Sequence, residues 1–284
     1  MGLESTLRSW ALRSGLQRSR LVVAVYRWIC RVRFRRRWDQ PVAFRGGLFS
    51  IGRDLSLYPA VRNGGFESEE LEALLARVSP GDTVWDIGGN IGIYSVLLGR
   101  AAPEGHVVAF EPVPQSRERL VGNLERNGVT NVTVEPLALS DQDGEALMAI
   151  FPDAPGCDRI VIGSSNGEAP ESMRVATVTG SGYCDTSPFG EPDVIKVDIE
   201  GHEPEFLRGA WDIIESRKPT LMMEVNPGTW TGEGRFETWE RLLADLFALY
   251  GAGDWFNLAG AVRVTSLDVR ELGPGPYTLI LPAS

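Results

Sequence analysis

Short apolar segments alternate with amphipathic segments along most of the chain, from residue 67 onward. Hydrophobic periodicity predicts helices at 67–78, 91–99, 114–127, 203–216 and 236–250. Apolar runs bounded by turn residues predict strands at 83–87, 106–111, 132–139, 194–198, 221–225, 262–264 and 277–281. Because parallel strands need crossover connections, which are usually helices, this alternation indicates an α/β fold with a mostly parallel sheet and helices on both faces.

Three other segments depart from the alternation. Residues 1–40 predict a basic helical arm, and residues 41–66 predict a turn-rich connector or lid. A polar insertion at about 141–190 interrupts the main domain, which covers residues 67–284. Apolar stretches within the insertion predict extra strands near 146–151 and 173–179. The length of 284 residues suits one large domain with an appendage.

Charge is distributed unevenly between the arm and the rest of the chain. The formal net charge is −10, yet residues 1–40 contain ten arginines and two acidic residues, a balance of +8. Two main interpretations remain open: a helix at 5–38 packed on the main domain, or an interfacial helix resting on anionic lipid. RNA binding through the arginines is a third interpretation, and no recognition motif supports it. In the second interpretation, three tryptophans lie near the lipid headgroups: Trp10, Trp28 and Trp38.

Cysteine usage and hydropathy exclude several classes of protein. Three cysteines (Cys30, Cys157 and Cys184) cannot form a disulfide framework, and an odd number suits a reducing compartment. No Cys/His cluster has zinc spacing, and no run of 18 apolar residues predicts a transmembrane helix. We therefore expect a cytoplasmic protein, with peripheral contact at the inner face of the membrane if the arm binds lipid.

A glycine-rich turn follows the first predicted strand of the main domain. Residues 86–92 read Asp-Ile-Gly-Gly-Asn-Ile-Gly, and glycines at a strand-to-helix turn let a ligand approach the backbone closely. Glu111 ends the second strand. In a doubly wound sheet these two strand ends are neighbours, and an acidic group there can accept hydrogen bonds from both hydroxyls of a ribose. The two positions therefore indicate a ligand that contains a nucleoside.

The residues of this turn distinguish between nucleoside ligands. The dinucleotide fingerprint G-x-G-x-x-G fails, because Asn90 stands two places after Gly88. The Asp86 carboxylate would repel a pyrophosphate but attract S-adenosylmethionine, which carries an ammonium and a sulfonium group. The turn therefore counts against a nucleotide-dependent oxidoreductase. A catalytically silent, cofactor-binding membrane adaptor is the non-enzymatic alternative, and the intact turn with Glu111 counts against it.

Several longer segments carry a more specific pattern. They are 84–95, 109–112, 138–141 with Gly144, 195–203 with Leu207, Gly209 and Ala210, and 219–224. The most specific is Lys-Val-Asp-Ile-Glu-Gly at 196–201. On these segments the chain resembles the FkbM family of S-adenosylmethionine-dependent methyltransferases, over about residues 65–282. Residues 179–183 depart from the pattern, since relatives often have a leucine–aspartate pair there.

The resemblance implies a class I methyltransferase sheet of seven strands, mostly parallel, with an antiparallel last strand. It implies that six residues bind S-adenosylmethionine: Asp86, Gly88, Asn90, Gly92, Glu111 and Asp141. Among them, Glu111 would bind the ribose and Asp141 would lie near the adenine amine. The family typically methylates hydroxyl oxygens of sugars in glycoconjugates or of polyketide-type natural products. We therefore expect a small-molecule or glycolipid acceptor and no nucleic-acid partner.

O-methylation of an alcohol gains from a catalytic base, because an alcohol is a poor nucleophile. The base should lie at the carboxyl end of a strand beside the cofactor. Asp198, after the fourth strand, is the first candidate, His202 is the second, and Glu200 lies between them. Other roles remain open: Asp198 could hold the cofactor's ammonium, Glu200 could cap the next helix, and His202 could be a surface turn residue. We expect Lys196 to pair with a nearby carboxylate.

Three carboxylates follow or end the fourth and fifth strands. Asp198, Glu200 and Glu224 are a candidate Mg²⁺ trio, because hard cations prefer oxygen ligands. The sequence does not fix their geometry, so a metal-free site is the favoured prediction.

Overall fold

The structure is a computed structural model. It describes residue 38 and residues 40–54, 57–151, 155–161, 171–230, 234–257, 260–273 and 275–283. The predicted helical arm therefore lies outside the described residues, apart from its last positions. None of the described helices is long and apolar enough to cross a membrane.

The centre of the fold is a large mixed sheet. In chain order, the strands of the described residues are β1 (Val42–Phe44), β2 (Gly47–Phe49), β3 (Thr83–Ile87), β4 (His106–Phe110), β5 (Val132–Glu135), β6 (Ala138–Ser140), β7 (Gly144–Ile150), β8 (Arg159–Ile160), β9 (Glu171–Thr179), β10 (Val194–Val197), β11 (Thr220–Val225), β12 (Gly253–Asn257), β13 (Gly260–Val264) and β14 (Tyr277–Leu281). The large sheet has the order β13-β12-β14-β11-β10-β3-β4-β5. Its strands β11, β10, β3, β4 and β5 run parallel, and β14 is antiparallel to β11. The predicted mostly parallel sheet with an antiparallel last strand is confirmed.

The described part of this sheet has eight strands rather than seven. The additional strand is β12, which pairs with β14 on one side and with β13 on the other. Sequence reading missed β12 because Gly253 and Asp254 interrupt its apolar residues. Asp254 forms ion pairs with Arg77 and Arg263. The strand partner β14 lies more than 20 residues further along the chain, so this part of the pairing of β12 is not local.

Helices cover both faces of the sheet. In chain order, those of the described residues are α1 (Leu57–Arg62), α2 (Ser68–Leu75), α3 (Ile93–Ala101), α4 (Pro114–Arg126), α5 (Gly180–Thr186), α6 (Glu203–Gly209), α7 (Trp211–Arg217) and α8 (Arg235–Tyr250). The first four pack against one face and the last four against the other, which gives two separate apolar clusters. The prediction of helices on both faces is therefore confirmed. Every residue of β10 is buried, as expected for a central strand between two helical layers.

The predicted strand at 132–139 is wrong as a single element. The chain forms β5 in the large sheet, leaves it at Pro136, and continues as β6, which pairs with β9 in a second sheet. Proline has no N–H to donate to a strand partner, so it favours the break at this point. The switch carries Ala138 and Leu139 to the mouth of the cavity described below.

The predicted helix at 203–216 is also wrong as a single element. It consists of α6 and α7, which join at Ala210, where φ is −122° and ψ is 8°. Gly209 precedes the break, and a Cβ built there would lie 1.9 Å from the carbonyl oxygen of Ser140. Glycine is therefore required for the close approach of α6 to β6. Because glycine also disfavours a helix interior, the helix divides at this contact.

The connector at 41–66 contains regular structure that the turn-rich sequence did not predict. Strands β1 and β2 form an antiparallel hairpin, followed by α1. Asn123 of α4 and Asn127, which follows the helix, hold the hairpin. Asn127 Oδ1 accepts from Leu48 N at 2.9 Å and Asn123 Oδ1 accepts from Ser50 N at 2.7 Å. This anchoring brings the segment from Asp54 onward over the carboxyl ends of the sheet strands.

Trp38, at the end of the arm, belongs to the apolar core. It is 9% exposed, and its ring packs edge-on against Tyr58 at a centroid distance of 4.9 Å. The interfacial interpretation of the arm placed Trp38 near lipid headgroups, and for this residue that placement is wrong. The contact instead anchors the beginning of the connector to α1.

The polar insertion builds a small sheet beside the large one. Its strand order is β6-β9-β7-β8, with β7 antiparallel to β9 over seven residue pairs. The strands predicted near 146–151 and 173–179 correspond to β7 and β9. The insertion also contributes a single 3₁₀ turn, Pro155–Cys157, to the wall of the cavity.

Candidate functional site

A cavity of about 360 Å³ opens at the carboxyl ends of the parallel strands. Its walls come from the ends of β3, β4, β6, β10 and β11, and from the connector and the insertion. A second cavity of about 140 Å³ adjoins it beside β11, β12 and β14. The two cavities share Glu67, Lys196, Asp198, Glu224 and Pro276. The volume of the larger cavity suits a small ligand, and the smaller cavity continues from it.

The glycine turn forms the floor of the larger cavity. Gly88 has φ +80°, and a Cβ built there would lie 2.0 Å from the carbonyl oxygen of Asp198. Gly92 has φ +83°, and its Cβ would lie 2.8 Å from Leu120 Cγ. Asn90 adopts a left-handed conformation with φ +47°. Only glycine fits at residues 88 and 92, because both the backbone conformation and the neighbouring atoms exclude a side chain.

Glu111 is fixed at the cavity wall by two backbone donors. Its Oε2 accepts from Asn90 N at 2.7 Å, and its Oε1 accepts from Val113 N at 2.8 Å. Burial raises the pKa of Glu111 to about 7, although both backbone hydrogen bonds act in the opposite direction. Each oxygen of a carboxylate can accept more than one hydrogen bond, so Glu111 keeps acceptor capacity toward the cavity.

Asp86 lies beneath the turn rather than in the cavity wall. It is fully buried, and its Oδ2 accepts from Ser95 Oγ at 2.6 Å. Its Oδ1 lies 3.4 Å from Lys196 Nζ. The resemblance implied that Asp86 touches the cofactor, whereas the structure places its carboxylate between β3, β10 and α3. It therefore supports the turn from below.

Lys196 joins the turn to the neighbouring strand. It is 4% exposed, and its Nζ donates to the carbonyl oxygen of Gly88 at 3.1 Å. The same Nζ lies 3.9 Å from Asp198 Oδ2 and 5.0 Å from the centre of the Tyr94 ring. Burial alone would lower the pKa of Lys196, but Asp86, Asp198 and Glu67 raise it overall, so the ammonium form is stabilised. The expected pairing of Lys196 with a carboxylate is present.

Three carboxylates converge beyond the end of β10. One ligand oxygen from each of Asp198, Glu200 and Glu224 lies within 4.8 Å of the others. Burial, followed by the charge of Asp198, raises the pKa of Glu200 to about 8 and raises that of Glu224 well above its ordinary value. Glu203 accepts the loop N–H groups of residues 199 and 201 through Oε1, at 3.0 and 3.3 Å, so Glu203 supports the loop that carries Glu200.

His202 is buried at the edge of the cavity, not exposed in a surface turn. Its Nε2 is hydrogen-bonded to Ser140 Oγ at 2.9 Å, and its Nδ1 lies 3.6 Å from Glu205 Oε2. Burial lowers the pKa of His202 despite the nearby carboxylate of Glu205. A neutral imidazole with one nitrogen already bonded to Ser140 is suited to holding α6 against β6.

Asp141 points away from the cavity. Its Oδ2 accepts from Arg208 Nη2 at 3.2 Å, in an ion pair at the surface. The cavity wall beside it is formed by Ala138 and Leu139 of β6. The resemblance implied a contact between Asp141 and the adenine amine, and the structure instead offers an apolar surface at this end of the cavity.

Sequence reasoning missed two side chains of the cavity wall. Tyr94 Oη donates to Glu67 Oε2 at 2.6 Å, and both residues line the larger cavity. Burial, followed by the charge of Asp198, raises the pKa of Glu67 to about 7. In the sequence, Glu67 is one of several acidic residues at the start of a helix, so no local signal separates it from its exposed neighbours.

Known proteins are similar to this chain over the region that contains most of the cavity residues described above. The sequence model of the methyltransferase FkbM domain matches residues 86–250. Hexuronic acid methyltransferase AglP of Haloferax volcanii is 30% identical over 164 residues, which cover 57% of this chain and 63% of that protein. The 31-O-demethyl-FK506 methyltransferase FkbM of Streptomyces tacrolimicus is 39% identical over 176 residues, which cover 53% of this chain and 67% of that protein.

A solved structure is similar as well. Methyltransferase FkbM from Methylobacillus flagellatus KT aligns with 72% of this chain and 44% of that chain, at 17% identity and a TM-score of 0.45. The match to AglP spans less than two thirds of the length of that relative. The domain match at 86–250 covers more than half of the present chain. The chain therefore belongs to the methyltransferase FkbM domain family.

Proposed function

We propose that the protein transfers a methyl group from S-adenosylmethionine to a hydroxyl oxygen of a small molecule. The observation that carries the proposal is the position of Asp198, which lines both the larger cavity and the smaller one beside it. A residue in this position can contact a cofactor on one side and an acceptor on the other. Membership of the methyltransferase family supports the same reaction class.

The larger cavity fits S-adenosylmethionine, which supplies a methyl group on a positively charged sulfur. At Gly88 the missing Cβ lets the Asp198 carbonyl lie against the turn, which brings the segment that carries Asp198 close to the floor of the cavity. Glu111 presents a fixed carboxylate for the two ribose hydroxyls. The apolar surface of Ala138 and Leu139 suits an adenine ring.

Asp198 is the proposed catalytic base. Its side chain is 35% exposed, so it can reach an acceptor hydroxyl and accept the proton that the hydroxyl loses. The ammonium of Lys196 lies 3.9 Å from Asp198 Oδ2, on the side of the carboxylate that faces β10. Glu200 is the second candidate, because it lies in the same loop and lines the larger cavity. His202 is weaker than the sequence indicated, because its Nε2 is bonded to Ser140 Oγ.

The smaller cavity is the proposed acceptor site. Its walls combine carboxylates, such as Glu70 and Glu224, with the apolar side chains of Met222 and Phe256. Mixed walls of this kind suit a hydroxyl-bearing molecule with an apolar face, as sugars, glycolipids and polyketide-type products have. The names of two relatives, a hexuronic acid methyltransferase and a demethyl-FK506 methyltransferase, support the same acceptor classes.

The acceptor class can be tested by transfer of label from a methyl-labelled cofactor into fractions of a native extract. We expect label in a saccharide, glycolipid or small-molecule fraction with wild-type protein. The Asp198→Asn variant is the matched control, since it removes the proposed base and keeps the size of the side chain. Label in protein or nucleic acid alone would contradict the proposal.

A contact between the arm and an anionic membrane is a separate proposal. It is supported by the +8 charge balance of residues 1–40. Removal of residues 1–37 should abolish sedimentation with anionic vesicles while keeping Trp38, which packs against Tyr58. Equal sedimentation of the full chain and the shortened chain would contradict it, and neutral vesicles give the background.

A further inference from the structure

The carboxylates beyond β10 and β11 form a group that methyl transfer by itself does not require. We propose that Asp198, Glu200 and Glu224 bind a hard divalent cation of the Mg²⁺, Mn²⁺ or Ca²⁺ class at the junction of the two cavities. The sequence alone favoured a metal-free site, because spacing along the chain did not show whether the three groups meet. The fold brings them together from a loop after β10 and from β11 itself.

The spacing of the three carboxylates matches the size of such an ion. One oxygen from each residue lies within 4.8 Å of the others. Opposite oxygens around Ca²⁺, each at about 2.4 Å, are separated by about 4.8 Å, and around Mg²⁺, each at about 2.1 Å, by about 4.2 Å. Only one pair of the three oxygens can be opposite, so a single ion contacts all three residues after a small inward movement of their side chains.

Glu224 provides an independent indication of a ligand. Its Oε2 is buried and has no hydrogen-bond partner among the described residues. A buried carboxylate oxygen that has lost its water needs a compensating partner, because desolvation of a charged group is costly. When all three groups are ionised, the oxygens of Asp198 and Glu200 are acceptors too, so they cannot supply it. A cation between the three residues satisfies all of them.

The nearby cations do not neutralise this group. Lys196 lies 3.4 Å from Asp86 and 3.9 Å from Asp198, and its hydrogen bond goes to the carbonyl oxygen of Gly88. Glu67, which also lines both cavities, adds a further carboxylate. One lysine ammonium is thus shared among several carboxylates, and the guanidinium of Arg159 also acts on Glu200. A divalent ion would balance the excess charge better than a single ammonium group.

The position of the group separates it from the proposed cofactor contacts. Glu111 and the glycine turn lie at the ends of β4 and β3, whereas Glu224 lies on β11, two strands from β3 in the sheet. The ion would therefore lie on the side of the smaller cavity. If Asp198 binds it through one oxygen only, its other oxygen remains free to act as a base.

Binding of Mn²⁺ to the full-length protein tests the site without cofactor or acceptor, so the result does not depend on the proposed reaction. After chelation and removal of the chelator, titration followed by electron paramagnetic resonance should show one bound Mn²⁺. Glu224→Gln should weaken the affinity at least about tenfold. Glu118→Gln, a change at an exposed residue of α4, should leave it unchanged. Competition by Mg²⁺ and Ca²⁺ then ranks the three ions.

Two outcomes overturn the inference. One is a titration without a specific site, either because wild-type protein does not bind Mn²⁺ or because Glu224→Gln and Glu118→Gln affect binding equally. The other is a loss of cofactor affinity in Glu224→Gln without any Mn²⁺ site in the wild type, which would assign the group to an organic ammonium. Unfolding in denaturant shows that each variant is folded before it is titrated.

Discussion

The ammonium group of Lys196 donates a hydrogen bond to the carbonyl oxygen of Gly88 at 3.1 Å, across the boundary between two neighbouring parallel strands. The contact explains why a lysine occupies the middle of a strand whose residues are all buried. It joins the turn that forms the cavity floor to the strand that carries Asp198. The buried Asp86 carboxylate at 3.4 Å stabilises the ammonium in this position.

Replacing Lys196 by methionine should destabilise the protein strongly. The substitution leaves Asp86 buried beside an apolar group, and removal of one partner of a buried ion pair costs about 3–5 kcal/mol of unfolding free energy. Denaturant unfolding measures the loss. Adding Asp86→Asn to Lys196→Met should restore part of it, because the unpaired charge is then gone.

The exposed pair between Arg174 and Glu145 provides the control for that experiment. Both side chains are largely exposed, at 77% and 64%, so Arg174→Met should cost no more than about 1 kcal/mol. Equal losses in Lys196→Met and Arg174→Met would contradict the role assigned to Lys196.

A side chain at Gly88 should damage both the fold and the cofactor site. Gly88→Ala places a Cβ about where the Asp198 carbonyl lies and forces an L-residue into a left-handed conformation, which alone costs about 1–2 kcal/mol. Unfolding free energy and calorimetric cofactor affinity should both fall.

Gly122→Ala is the matched substitution. Gly122 lies within α4, and a Cβ there meets nothing within 4 Å, so alanine should stabilise the protein by about 0.5–1 kcal/mol. Unchanged cofactor affinity in Gly88→Ala would remove the turn from the proposed binding site.

Cofactor affinity should rise with pH through the titration of Glu111. Burial raises the pKa of Glu111 from 4.5 to about 7, so the group is protonated below this pH and becomes a better acceptor for ribose hydroxyls above it. Calorimetry between about pH 5.5 and 8.5 measures the effect. Glu111→Gln should weaken binding roughly 10–100-fold, as expected for the loss of hydrogen bonds to a charged group.

The raised pKa of Glu111 makes the stability of the free protein fall, rather than rise, with increasing pH. The native state holds a proton on Glu111 up to about pH 7, whereas the unfolded chain loses it near 4.5, so this group lowers stability as pH rises between these values. Glu111→Gln should remove that share of the pH dependence. Identical affinity profiles for wild type and Glu111→Gln would contradict the ribose role.

Replacing Asp198 by asparagine should separate binding from catalysis. The variant keeps the size of the side chain and lacks the base, so turnover should fall about 10²–10⁴-fold. Calorimetric affinity for the cofactor should change little, because the proposed ribose contact belongs to Glu111. If turnover survives and Glu200→Gln abolishes it, Glu200 is the base instead.

The main positions in the wall of the larger cavity followed from topology and could be predicted. Parallel strands place their carboxyl ends at one edge, so the turn after β3 and Glu111 after β4 had to be neighbours. Gly88 and Gly92 were also predictable, because a strand-to-helix turn needs residues that accept positive φ. The order of elements along the chain is enough for these inferences.

Side-chain directions could not be predicted in the same way. Asp86 and Asp141 are close in sequence to residues that line the cavity. Asp86 nevertheless pairs with Lys196 below the turn, and Asp141 pairs with Arg208 at the surface. Their partners come from β10 and α6, which are more than 60 residues away. The part of the cavity wall that the connector forms could not be predicted either. It depends on contacts of the connector with Asn123 of α4 and with the following Asn127.

The most direct test of the account is product analysis with a carbon-13 methyl donor, the purified full-length protein and an acceptor fraction that takes up label. The account predicts a methyl group on oxygen, one S-adenosylhomocysteine formed per methyl transferred, and loss of both signals in Asp198→Asn. Methyl groups found on nitrogen or carbon would contradict it, and so would undiminished transfer by the Asp198→Asn and Glu200→Gln variants.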